Sequence, residues 1–410
     1  MTDVETAPSW NPFDPEFLLD PYPTYARLRD EDPVHRTPIG TLLVSRYNDV
    51  HSVLRDTETT VRRFESNIEV PEHMRPLQEL RGERVPSILG LDPPDHTRLR
   101  GLVQRTFTPR AIGRMREQTA GIVDDLLDEL SGHGESGEID LIGEYAFVIP
   151  FAVIHAMLGL PDTDVAMVRG WSHAITQTLE PYLTPEQVTA ALDGGSRMDA
   201  YLADAVEQKR RQPGDDLLTQ LIEAEEEGDR MSTPELLSMV SLLFVAGHET
   251  TVNLIGNGIH ALLQNPDQLA LVRDDDSVDA TVADELLRWD SPVQTSGRRL
   301  LHDTVISGVE IAADEMVLTA LGSANRDPAF WGDTANTLDV TRPDAARHVS
   351  FGSGIHHCLG AALARLEGEI AVTRFIRRFP ELALAGEPTF NARIILRGRN
   401  TLPLRLGAAA

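Results

Sequence analysis

Cysteine is almost missing from this chain: Cys358 is the only one among 410 residues. No disulfide can form within the chain, and neither a sulfur-rich zinc site nor an iron–sulfur cluster can be built. That usage suits a reducing compartment. Lysine is equally scarce. Lys209 is the only one, so 36 of the 37 basic residues are arginine. Genome base composition accounts for most of this bias, although a guanidinium also stays charged when buried and binds carboxylates in pairs. Positive charge is outweighed, with a formal net charge of −27. Non-specific binding to nucleic acid or to an anionic membrane is thereby disfavoured. Apolar runs of about 18 residues are lacking, so no membrane span is expected. Residues 1–15 are acidic and broken by prolines. They offer no basic and then apolar stretch of the kind a signal peptide needs. The expected location is cytoplasmic.

What is present is ordinary globular material, 41% hydrophobic and 25% charged. No internal repeat or long linker divides it, and residues 1–410 read as a single domain. The stretch Ser131 to Gly137 and the turn at Gln212-Pro213-Gly214 read as loops. Helical periodicity covers about 97–131, 144–158, 164–179, 185–211, 215–226, 233–264, 266–273, 278–289 and 359–378. Strand-like pieces lie near 40–44, 304–320, 394–396 and 402–404. The fold class is therefore mainly α with a small β region drawn from both ends of the chain. One helix stands out. Ser232 and Glu235 have capping-box spacing, and the pattern runs to Gln264 before Asn265-Pro266 ends it. About 30 residues make a rod of roughly 45 Å, long enough to cross the molecule.

Cys358 sits in Phe351-Gly-Ser-Gly354-Ile-His356-His357-Cys358-Leu-Gly360. A lone cysteine is often only a small buried hydrophobe. Here Gly352, Gly354 and Gly360 clear both sides of the sulfur, which lets a flat ligand approach the backbone. Leu359, Leu363, Leu366 and Ile370 then repeat at helical spacing. Cys358 thus opens a helix, where free N–H groups favour a thiolate. Such a thiolate is a nucleophile or a metal ligand.

Within the long helix lies Ala246-Gly247-His248-Glu249-Thr250-Thr251. A polar patch on a partly exposed helix is the plain reading. Yet a glycine and two threonines are poor helix formers at a buried centre, and threonine can bond a carbonyl one turn back. A third pair, Glu285 and Arg288, has the i, i+3 spacing of a solvated surface pair worth about 0.2–0.5 kcal/mol.

Together these segments resemble the cytochrome P-450 superfamily. Phe351, Gly354, Cys358 and Gly360 match its haem-loop pattern Phe-x-x-Gly-x-x-x-Cys-x-Gly. The resemblance covers essentially the whole chain and implies a haem b held between the long helix and the Cys358 loop. A thiolate ligand pushes electron density onto iron and favours O–O cleavage. The resemblance assigns Cys358 as iron ligand, with Ala246, Phe351, Gly352 and Gly360 against the haem. It assigns His96, Arg100, Arg298 and His356 to the propionates, with Arg299, His357 and His348 as weaker candidates. Glu249 and Thr250 match the acid–alcohol pair that relays protons, although many relatives have Asp where Glu249 stands. Glu285, Arg288 and Arg342 match a structural triad behind the haem. Leu242, Val245, Ala246, Val293, Gln294 and Ile395 are expected to line the substrate pocket. Residues 61–91, with Arg62, Arg63, Glu65 and Glu69, are expected to form a variable loop over it.

The implied reaction places one oxygen atom from O2 in a small apolar organic substrate. Electrons must come from a ferredoxin and its NAD(P)H-dependent reductase, docked near Arg105, Arg110 and Arg365. A monomer is expected. The segments 246–258 and 354–361 look like those of soluble actinobacterial enzymes, which points to hydroxylation or epoxidation of a polyketide, macrolide or terpenoid-type secondary metabolite. A fatty acid or steroid hydroxylase is the second reading. A peroxide-driven enzyme would not need the acid–alcohol pair, and a non-catalytic haem sensor is the alternative of another class.

Overall fold

The computed structural model describes residues 10–38, 40–62, 71–104, 107, 109–132, 137–226 and 231–410. Its organising element is one helix, Thr233–Leu263, 31 residues long. The capping box is formed: the Ser232 N–H donates to Glu235 Oε2 at 2.7 Å, and the Glu235 N–H donates to Ser232 Oγ at 3.4 Å. Most of its C-terminal half is buried, including Val252, Leu254, Ile255 and Ile259. The helices Val148–Leu158, Asp279–Trp289 and Ala361–Arg378 pack against it.

Two glycines explain how close that packing is. A Cβ on Gly256 would sit 2.5 Å from Ile142 Cδ1, and one on Gly258 would sit 2.7 Å from Leu286 Cδ1. Each glycine costs a helix about 1 kcal/mol relative to alanine. The contacts it admits join the central helix to two neighbours at once, and burial of those apolar side chains offsets the cost. Among the described residues this is the one helix long and apolar enough to cross a membrane, and 67% of its apolar window is buried within the protein.

The β region forms small sheets. The largest has five strands in the order Val34–Arg36, Leu42–Val44, Met316–Ala320, Thr295–Leu300 and Thr59–Thr60. Only the pairing of Leu42–Val44 with Met316–Ala320 is parallel. A second sheet joins Glu138–Asp140, Pro403–Arg405 and Ala383–Leu384, bringing the C-terminal strand beside the middle of the chain. The hairpin Thr304–Ile306 and Val309–Ile311 turns through Ser307 and Gly308, at φ 48° and 80°. Two successive positive φ values suit the twist of a two-residue turn.

Three expected elements change. The single helix over 97–131 is two, Asp95–Gln104 and Pro109–Ser131, because Pro109 has no N–H to continue the first. The helix expected from 144 begins with a π segment, Ile142–Ala146. Residues 394–396 do not form a strand. They make one isolated bridge, Val293 to Leu396, because the Ile394 and Ile395 N–H groups donate to the Glu180 carboxylate at 2.9 and 3.1 Å.

Candidate active site

The loop around Cys358 is folded by its own backbone. The Gly352 N–H donates to Val349 O at 2.8 Å, and the Cys358 N–H donates to Phe351 O at 2.9 Å. Gly352 and Gly354 have φ of 67° and 70°, a region that side chains disfavour. At Gly354 a Cβ would also lie 2.5 Å from Leu54 O, so only glycine lets this loop meet the helix Tyr47–Arg55. Gly360 offers its N–H to the sulfur, and the helix Ala361–Arg378 starts directly afterwards. Phe351 braces the loop from behind, with the Arg365 guanidinium 4.7 Å from its ring centroid.

Cys358 is an exposed residue. Protein crowding nevertheless raises its thiol pKa, against the Gly360 N–H and the charges of Arg100 and Arg365. The N–H at the helix start and the two guanidinium groups act as expected, in favour of the thiolate, against the crowding that opposes it. A bound metal deprotonates a coordinating thiol outright.

Beside the sulfur stands a set of donors with few acceptors. The His96 and His356 rings lie 4.4 Å apart, and Nε2 of each is buried without a hydrogen-bond partner. Burial, helped by Arg298, His96 and Arg100, brings His356 down to about 4. Arg298 is buried, donating to Ser296 Oγ at 3.0 Å and Gly297 O at 2.7 Å. Among the described residues it forms no ion pair. Arg299 points the other way along the strand and donates to Asp314 O at 3.0 Å. Arg100 donates to the His357 carbonyl at 2.6 Å. His348 is committed elsewhere, at 3.0 Å from Asp284. Buried N–H groups without acceptors cost about 1–3 kcal/mol each. The chemistry of this donor set fits two carboxylates next to a metal-binding sulfur, as haem b requires.

On the central helix Leu242, Ala246 and Thr250 share one face at i, i+4 spacing, and Ala246 is exposed although the helix core is buried. The Thr250 hydroxyl donates to Ala246 O at 3.2 Å. The helix stays α-helical throughout, so this bond to the carbonyl one turn back does not break it. Glu249 does not lie against Thr250. Its carboxyl faces Thr176, Arg393 and Arg169, and burial raises its pKa above the usual range against their pull. Val293 and Ile395 are half-buried and adjacent, since the Gln294 N–H donates to Ile395 O at 2.9 Å. Val245 is buried in the main core. Gln294 is a correction to the expected pocket: its side chain is 2% exposed, donates to Ser291 O at 2.8 Å and packs on Gly322. Arg62 forms ion pairs with Asp92 and Asp95 at 3.8 and 3.5 Å. Arg63, Glu65, Glu69, Arg105 and the Arg110 side chain lie outside the described residues.

Glu285 and Arg288 are not a surface pair. Both side chains are fully buried, and Arg342 Nε adds a contact to Glu285 Oε2 at 3.2 Å. Arg288 also donates to the carbonyls of Asn325, Ala335 and Thr337. Lone spacing gave no sign of that burial.

A mainly helical fold with one cysteine loop opposite a long helix and a rim of unpaired donors defines a haem-thiolate protein. The chain belongs to the cytochrome P-450 family, whose description matches residues 34–391. It is 41% identical over 403 residues to a vitamin D(3) 25-hydroxylase of Pseudonocardia autotrophica, covering 96% of each chain. It is 37% identical over 410 residues to the polyketide biosynthesis cytochrome P-450 PksS of Bacillus subtilis, covering 97% of this chain and 98% of that one. The crystal structure of CalO2 superposes with a TM-score of 0.87 at 33% identity, covering 98% of this chain and 99% of the other. The protein is a cytochrome P-450 monooxygenase with haem b as its cofactor.

Sequence reasoning missed several residues. Glu180 and Arg393 gave no local signal, because their partners are more than 200 positions away. Glu367 did give one. It falls among Leu363, Leu366 and Ile370 on the apolar face of its helix, where a carboxylate needs a reason. It is 1% exposed, bonds to Thr251, and is pushed up to about 8 by burial.

Proposed function

We propose that the chain hydroxylates or epoxidises an apolar secondary metabolite of the polyketide, macrolide or terpenoid type. The observation that carries the site is the accessible Cys358 sulfur, held by the Gly360 N–H and flanked by the unpartnered His96 and His356 nitrogens. In this reading Cys358 ligates iron, and His96, Arg100, Arg298 and His356 hold the two propionates. Ala246, Phe351, Gly352 and Gly360 lie against the ring. When bound, haem b supplies the oxygen-activating chemistry that no side chain can. The chain's own part is to hold protons and exclude water. Thr250, freed from Ala246 O, presents a hydroxyl, and Glu249, kept protonated more readily by burial, would replenish it once its carboxyl turns from Thr176 and the two arginines. Leu242, Val245, Val293 and Ile395 supply apolar walls.

The electron donors in this reading are a ferredoxin and an NAD(P)H-dependent reductase, met by a cytoplasmic monomer. Arg365, one-third exposed, stands on the cysteine side of the fold. Reversing its charge slows electron transfer and flattens its salt dependence; unchanged values remove it from the docking surface.

The relative in polyketide biosynthesis supports the substrate class. A second reading, a steroid-type substrate, is supported by the relative named for vitamin D(3). A panel of macrolactones, secosteroids and fatty acids, screened for the spin-state shift that follows loss of iron-bound water, separates them. Shifts confined to macrolactones and related polyketides support the proposal. Shifts confined to secosteroids or fatty acids overturn it.

A further inference from the structure

A cavity of about 290 Å³ lies between the central helix, the helix Val165–Gln177 and the C-terminal segment 391–400. None of the residues assigned to haem or substrate lines it, and among the described residues Glu249 is the only carboxylate on its wall. Its charge is unlike the rest of the molecule. Arg169, Arg393 and Arg399 all face it, in a chain whose net charge is −27.

Among the described residues, none of the three forms an ion pair. Arg393 is 9% exposed and donates to Thr176 Oγ1 at 3.0 Å and to the His173 ring at 3.1 Å. Arg399 is 5% exposed, donates to Asn257 and His260, and leaves its Nε buried without an acceptor. Arg169 lies over the Phe147 ring at 4.8 Å. Glu249 faces Arg169 and Arg393, but it is one carboxyl against three guanidinium groups and burial disfavours its ionised form; the other nearby acids are taken. Asp290 binds Arg397 at 2.8 Å and the Tyr22 hydroxyl at 2.9 Å. Glu180 accepts from the Ile394 and Ile395 N–H groups. Three guanidinium groups around one carboxyl leave an excess of buried positive charge, which is costly unless an anion satisfies it. Guanidinium forks match the oxygens of phosphate and carboxylate, and Asn253 adds an amide to the wall.

We propose that this cavity is a binding site for a small free oxyanion of the phosphate or carboxylate class, separate from the substrate pocket and adjacent to Glu249. The anion would bridge Arg169 at the half-exposed mouth to Arg399 at the buried end, and so tie the helix Val165–Gln177 to the C-terminal segment.

The test uses the haem-loaded, full-length protein. It is titrated with potassium phosphate at fixed pH and ionic strength, with chloride as the balance, and the melting temperature is followed. A ligand that binds only the folded state raises that temperature along a saturating curve. A general salting effect rises without saturation and acts equally on any variant. The expected result is saturation, with the midpoint raised about tenfold in Arg169→Gln, the loss of one charge-assisted contact. Arg399→Gln checks the buried end, and 31P line broadening by the intact protein reports binding even if that variant folds poorly. A non-saturating rise, or an equal midpoint in Arg169→Gln, overturns the proposal. The titration is repeated with an azole on the iron. An unchanged midpoint supports the separate cavity, whereas competition places the anion in the substrate pocket and overturns it.

Discussion

Arg288 donates two hydrogen bonds to Glu285, at 2.7 and 2.8 Å, and neither side chain has any exposed surface. The bidentate geometry brings charge compensation, while three backbone carbonyls take the remaining guanidinium protons. Arg342 completes the neutralisation of Glu285 from the loop after residue 338. The group therefore fastens the helix Asp279–Trp289 to three otherwise irregular turns.

Removing one partner leaves the other charged and buried. Glu285→Ala and Arg288→Ala should each lower stability by about 3–5 kcal/mol. The Arg342→Ala loss should be smaller, because Arg288 still covers both oxygens. Urea unfolding of the haem-loaded protein measures this, and a loss within about 0.5 kcal/mol for Arg288→Ala would refute the buried-pair account.

Thr250 offers the opposite case, a residue with little structural duty. Its hydroxyl bonds only to Ala246 O, at a partly exposed position. Thr250→Ala should therefore leave stability within about 0.5 kcal/mol. Product formed per electron consumed should fall by about tenfold, with peroxide released instead, since general acid–base effects span roughly 10²–10⁴-fold and water can partly substitute. Parallel assays of product, peroxide and NAD(P)H decide it; an unchanged ratio takes Thr250 out of the relay.

These two sites also show which parts of the molecule were legible in its sequence. The Cys358 loop was legible because its chemistry is local: glycines, sulfur and helix start are consecutive, and the structure adds their angles. The long helix was legible because capping and period both mark it. Arg298 and Arg299 were not separable, because strand alternation turns them to opposite faces and only pairing with Met316–Ala320 shows which face is which. Gln294 was misplaced for a related reason: position after a motif does not say where a side chain points. Contacts such as Arg393 with Thr176 join distant segments, and no spacing rule reaches across them.

Glu367 makes stability depend on pH. Its folded pKa of about 8 lies above the ordinary 4.5, so the folded state keeps a proton that the unfolded chain loses. Stability from this group therefore falls as pH rises from about 4.5 to 8, and is level outside that window. The total is on the order of a few kcal/mol. Glu367→Gln keeps the neutral shape, so its melting temperature should exceed that of the parent increasingly from pH 5 to pH 8. Parallel melting curves across that range would show that Glu367 ionises as freely in the fold as in the unfolded chain.

Glu180 is the last case, because it decides the shape of a segment that carries a pocket residue. Its two carboxylate oxygens accept from the N–H groups of Ile394 and Ile395, which would otherwise seek a strand partner. Ile395 O in turn accepts from the Gln294 N–H. One side chain thus couples the end of the helix Val165–Gln177 to the wall formed by Val293 and Ile395. Charge-assisted hydrogen bonds contribute about 1.5–3 kcal/mol. Glu180→Ala should therefore speed amide exchange at residues 394 and 395 by at least about tenfold, while exchange within the central helix stays unchanged. The same variant should bind bulky azoles with faster dissociation, since the wall they rest on has lost its anchor. Protection at 394 and 395 equal to that of the parent would mean that packing alone, through Ile394 in its apolar cluster, holds the segment in place.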